Sequence, residues 1–81
     1  MVGKIANISQ NKKKFAVKQD DESYSIIELM DESAISIGDL VLAQFVTGDV
    51  LVKNETKKTV FEAYIHHLGV AEKNMLKLLN Q

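Results

Sequence analysis

Cysteine and arginine are both absent from this 81-residue chain, and each absence removes a class of function. Without Cys there is no disulfide framework, no thiolate metal site, no zinc finger and no cysteine nucleophile, and an intracellular protein is the economical expectation. Without Arg the ten basic residues are all Lys. The planar fork that grips phosphates and reads guanine edges is therefore missing, which disfavours strong sequence-specific recognition of duplex DNA. Long apolar runs are lacking too. The longest are a few residues, such as 40–43, against the roughly 20 that cross a bilayer. Met1 leads into Val2, Gly3 and Lys4 without an apolar leader segment, so the expected location is the cytoplasm. No internal repeat, Pro-rich linker or low-complexity block divides the chain.

What is present is the composition of an ordinary globule. With 46% apolar residues, 26% charged residues and a net charge of −1, the chain carries too much apolar material and too little charge for a disordered tail. Its length suits a single domain that buries roughly 60 to 65% of its unfolded surface around one core.

The first two thirds read as strands. Residues 2–9 are followed by the turn-forming Gln10, Asn11 and Lys12. Residues 14–19 then alternate, with Phe15 and Val17 on one face and Lys14, Ala16 and Lys18 on a polar outer face. Asp20, Asp21, Glu22 and Ser23 supply the next turn, and Tyr24, Ile26 and Ile27 mark a third strand over 24–29. A longer crossing, 30–36, leads through Ile37, Gly38 and Asp39 into the nearly continuous apolar run 40–45, which suits a strand buried on both sides. Thr47, Gly48 and Asp49 turn the chain into a fifth strand, 50–53. Five short strands joined by tight turns suit a small closed or nearly closed barrel.

Residues 59–67 fit two periods. As a strand they place Phe61, Ala63 and Ile65 on one face and Glu62, Tyr64 and His66 on the other. As a helix they place Val60, Phe61, Tyr64, Ile65 and Leu68 on one stripe, with a Thr59–Glu62 capping box and Gly69 as the stop. The cluster of β-branched and aromatic residues favours the strand. Beyond it, Ala71, Met75, Leu78 and Leu79 fall at i, i+4, i+7 and i+8, so 71–80 reads as a short amphipathic helix that must dock on something to persist.

Gly3-Lys4-Ile5, Lys14-Phe15-Ala16-Val17, Ile26-Ile27-Glu28-Leu29, Ile37-Gly38-Asp39-Leu40-Val41 and Asp49-Val50-Leu51-Val52 follow one another in an order that resembles the cold-shock domain and related oligonucleotide-binding (OB) barrels. The likeness spans residues 3–54. The chain is also similar to small bacterial proteins that append a strand-and-helix tail to such a barrel, a likeness that brings no activity with it. The expected fold is accordingly mainly β: a five-stranded OB-like barrel over 1–54, with an SH3-like barrel as the alternative, and a strand-helix extension over 55–81 packed on it as one compact domain.

The resemblance implies single-strand binding by stacking of bases on aromatic residues of the second and third strands. At the matching positions only Phe15 is aromatic here; Asn7, Val17, Ile27 and Leu29 stand at the others. Aliphatic side chains offer no π-face, and stacking contributes about 1–3 kcal/mol per base. A face rich in Val17, Ile27 and Leu29 calls instead for a cover. The C-terminal residues Phe61, Ile65, Met75, Leu78 and Leu79 are expected to provide it, in the same chain or in a second copy. The first functional expectation is therefore a non-enzymatic module for protein interaction or self-association. The second is weak, sequence-tolerant single-strand binding through Phe15 and Tyr24 with Lys4, Lys12, Lys13, Lys14 and Lys18.

Other chemistry has little support. His66 and His67 diverge on either a strand or a helix and do not share one ion easily. There is no Gly-x-Ser-x-Gly elbow, no Gly-rich phosphate loop and no pair of carboxylates spaced for a cleft. No cofactor and no metal site is expected, and membrane association is not among the expected partners.

Overall fold

In the computed structural model, which describes residues 2–81, the chain forms β1 (Val2–Ile8), β2 (Lys14–Lys18), β3 (Tyr24–Leu29), β4 (Leu40–Leu42), β5 (Gly48–Asn54), β6 (Thr59–Val70) and a C-terminal helix α1 (Glu72–Leu79). The strands close in the order β1-β2-β3-β6-β5-β4, with every pairing antiparallel. The mainly β barrel with a terminal helix is as expected, but it has six strands rather than five. Residues 59–70 are a stave of the barrel, and the sheet has no boundary at residue 54.

The strand period wins over 59–67 because Phe61, Ala63 and Ile65 alternate into the interior while Val60, Glu62 and Tyr64 point outward. A helix would have turned Val60 and Tyr64 to the same side as Phe61. β6 pairs with β5 through 59–65 and with β3 through 63–70, so its twelve residues bridge two strands that do not pair with each other.

Inside the barrel, Ile5, Phe15, Val17, Ile27, Val41, Val52, Phe61, Ala63 and Ile65 form the main core, with Phe45 at its margin. Gly3 on β1 lies close against β2, and a Cβ there would press into Val17 Cγ1. The run 40–45 departs from expectation. Only Leu40–Leu42 join the ladder, with Val41 buried between an exposed Leu40 and a half-buried Leu42. The reason is that the barrel exterior at β4 is wet, so only every second residue there is covered.

A second apolar layer lies outside the barrel. α1 presents Met75 and Leu79, with Leu78 beside them, to Ala16, Tyr24, Ile26 and Val70. The outer face of β2, expected to be polar, has a gap at Ala16, whose small side chain lets the helix approach the sheet. The helix docks on the barrel of its own chain, which gives so short a helix the support it needs.

The crossing 30–39 is held down by a polar knot. Asp39 Oδ2 accepts hydrogen bonds from Lys57 Nζ at 2.7 Å, Asn54 Nδ2 at 2.8 Å and the Ser36 backbone N–H at 3.0 Å. Asn54 Oδ1 in turn accepts the Lys57 backbone N–H at 3.0 Å, so the β5–β6 turn and the entry to β4 are tied together. Burial by itself would raise the Asp39 carboxyl, but these donors together with the charge of Lys57 outweigh it and hold the group below its ordinary value of 3.8. The native state thus binds the proton more weakly than the unfolded chain. Stability from the knot is present above about pH 4 and is lost as pH falls through the depressed native value. Urea unfolding followed from neutral to acid pH should show Asp39→Asn less stable at neutral pH by about 1.5–3 kcal/mol, with a shallower loss on the acid side. An unaltered acid profile in the variant would remove Asp39 as its source.

Candidate protein interface

The sequence-predicted cover divides into two layers. Val17, Ile27, Phe61 and Ile65 lie inside the barrel, and Leu29 packs against that core from its edge. Met75, Leu78 and Leu79 lie outside it, over a different set of residues. The two groups do not meet across one seam, because Val17 and Ile27 point inward while their neighbours Ala16 and Ile26 point outward to the helix. One residue of strand parity separates the two faces.

The seven residues expected for single-strand binding do not converge either. Phe15 is fully buried, edge-to-face on Phe61 with ring centroids 6.1 Å apart. Tyr24 lies beneath α1 and its hydroxyl donates to Glu72 Oε1 at 3.2 Å. Burial and that carboxylate push the Tyr24 hydroxyl above its usual range. Lys12, Lys13 and Lys14 sit at the β1–β2 turn, whereas Lys4 and Lys18 face each other at the far end of the same strand pair. About 13 Å of β2 lies between the two groups. Lys18 is paired with Glu22 at 2.8 Å, which raises its ammonium pKa, and Lys14 Nζ donates to the Gln81 carbonyl at 3.1 Å.

Another face is left open. The outward residues of β5 and β6 follow from the register: Leu51 is opposite Glu62, and Lys53 is opposite Val60. The row through Lys53 continues to Leu42 on β4 and Val2 on β1. Leu51 and Val60 are 65% and 62% exposed, high for large aliphatic side chains on paired strands. Tyr64 flanks them, and Met30, 56% exposed, stands at the rim, its backbone N–H donating to the Glu62 carbonyl at 3.1 Å. A shallow groove of about 390 Å³ runs between Met30, Asp49, Val50, Leu51, Glu62 and Ala63. The Glu62 carboxylate has no partner among the described residues, while Lys53 reaches Glu55 at 3.0 Å. Lys53 and then Lys58 hold the Glu55 carboxyl below its usual range. The alternation that turns Glu62, Tyr64 and His66 outward is legible in the sequence; that nothing covers Leu51 and Val60 is not.

Elsewhere Ile37 on the crossing, Val46 between β4 and β5, and Leu76 on α1 are also exposed. His66 Nε2 lies 2.6 Å from Glu28 Oε1 and its ring packs on Tyr64 at 4.8 Å. No three His, Cys, Asp or Glu side chains gather to hold a metal ion among the described residues. Two wider clefts, of about 630 and 640 Å³, flank the crossing 30–39. The first sets Lys12 and Lys13 against Glu28, Asp31 and Glu32, a mixture with no single sign of charge. No helix among the described residues is long and apolar enough to cross a membrane. Compared with known proteins, the chain matches no family profile, no curated protein and no solved structure at a significant level.

Phe15 illustrates the difference between a base-stacking platform and a core residue. Phe15→Ala should cost about 3–5 kcal/mol in urea unfolding, as a buried aromatic does. A loss of less than about 0.5 kcal/mol, the behaviour of an exposed side chain, would return it to the surface.

Proposed function

We propose that this chain is a small non-enzymatic interaction module, an OB-like barrel of the cold-shock type and of bacterial kind, that works in the cytoplasm by binding a protein through the outer face of β5 and β6. The observation that carries this reading is the exposure of Leu51 and Val60, set diagonally to each other across the paired strands β5 and β6. On the side of β2 and β3 the same barrel covers its apolar exterior: Ala16, Tyr24, Ile26 and Val70 lie under a helix. Large apolar side chains left open together on a small domain are a usual mark of an interaction site. The contact is made by these outward side chains across the face.

Single-strand binding would have to proceed without Phe15 and Tyr24, whose rings support the core and the helix. It would rest on Lys12 and Lys13, with Lys4 at the far end of the strand pair, as point charges sensitive to salt.

A photo-crosslinking amino acid placed at position 51 in the living cell, with position 73 on the exposed side of α1 as control, tests the reading. Discrete protein adducts at 51 and none at 73 are expected. Absence of any adduct at 51 would overturn it. So would salt-reversible amide shifts at Lys12 and Lys13 on adding short mixed single-stranded oligonucleotides, if the β5–β6 face formed no adduct.

A further inference from the structure

We infer that the partner on this face is a second copy of the chain, seated across a twofold axis that runs along the Leu51–Val60 diagonal. The inference rests on the reading of the β5–β6 face as a protein-binding surface and adds the identity and orientation of the occupant.

Four outward side chains form a small checkerboard: Leu51 opposite Glu62 and, one pleat along, Lys53 opposite Val60. Apolar groups occupy one diagonal, and opposite charges occupy the other. A twofold axis along the apolar diagonal sets Leu51 against Leu51 and Val60 against Val60. It also brings each Lys53 over the partner's Glu62, so two ion pairs form at once. An axis along the strands, or across them, would instead stack Leu51 or Val60 on a charged side chain, and the face thereby selects one arrangement. With strands about 4.8 Å apart and alternate residues about 6.8 Å apart, the diagonal axis crosses the two sheets at about 70°. That is close to the orthogonal class of sheet packing. The same rotation carries Tyr64 toward Leu42 and Val2 of the other copy, extending the apolar match along the row that continues onto β4 and β1.

Charge supports the assignment from within one protomer. Glu62 is the unpaired member of the group, whereas Lys53 already shares Glu55 with Lys58, at 3.0 and 3.6 Å. A lysine from the partner completes Glu62 without removing a partner from Glu55. Docking of the exposed Leu76 and its neighbouring lysines from α1 onto this face would also bring charge to Glu62. That contact is head-to-tail, however, and propagates without closing. The match rests on a handful of side chains, against the roughly 20–30 residues per partner of a stable interface, so the dimer exchanges quickly and forms at high concentration.

The rotational correlation time of the labelled protein, measured by amide relaxation from about 0.05 to about 1 mM, should rise nearly twofold as dimer forms. Lys53→Glu and Glu62→Lys should each weaken association by about tenfold, because each sets like charges across the seam twice. An equimolar mixture of the two variants should regain it, since each then supplies the charge that the other lacks. Thermal unfolding of each variant confirms that the barrel stays folded. A correlation time independent of concentration overturns the inference, and so does a dimer that both variants form as well as the native chain or that their mixture fails to restore. The crosslink at position 51 separates the two failures. Adducts of a mass other than twice the chain leave the interaction module standing and remove the self-partner, whereas no adducts at all remove both.

Discussion

β6 is the element on which the barrel depends, because a closed sheet needs every strand to find two neighbours and β3 and β5 do not pair with each other. Its twelve residues are long enough to serve both at staggered registers, 59–65 against β5 and 63–70 against β3. The stagger also sends Phe61, Ala63 and Ile65 through the centre of the core, where Phe61 meets Phe15 edge-on. Gly69, at φ +61°, and Ala71, the residue before the helix, then turn the chain off the end of β6. The helix is thereby delivered to β2 and β3 rather than to β5.

That delivery creates the asymmetry of the exterior. One side of the barrel is covered by Met75 and Leu79, while the opposite side keeps Leu51 and Val60 in water. Short turns of similar construction set the shape around these faces. In the β1–β2 and β2–β3 turns the N–H of Lys12 or Glu22 closes on Ser9 or Gln19 with the backbone in the left-handed region, and Asn11 or Asp21 caps the following residue. The longer crossing 30–39 has no partner strand over most of its length. It depends on the Asp39 knot instead, where a charged hydrogen-bond network does the work of a ladder.

Much of this was legible residue by residue. Phe15, Val17, Phe61, Ala63 and Ile65 alternate cleanly, and alternation is a local property that survives without knowing the neighbours. The amphipathic stripe of Met75, Leu78 and Leu79 was equally plain. Leu40, Val41 and Leu42 misled because three apolar residues in succession look the same whether one face is covered or both are. The aromatic rings of Phe15 and Tyr24 read as available surface for a related reason: their exposure depends on β6 and α1, which lie more than 40 residues away.

Sequence periodicity alone determined that the chain is mainly β, where its strands turn, and that a short helix ends it, since those follow from the spacing of apolar side chains and from turn chemistry. Tertiary structure alone decided that the barrel has six staves, that Val17 and Met75 belong to different layers, and that Leu51 and Val60 are left open beside an unpaired Glu62. Each of these turns on which strands become neighbours. Neighbourhood in a sheet is set by closure of the whole ring, which no segment of the chain carries in its own pattern.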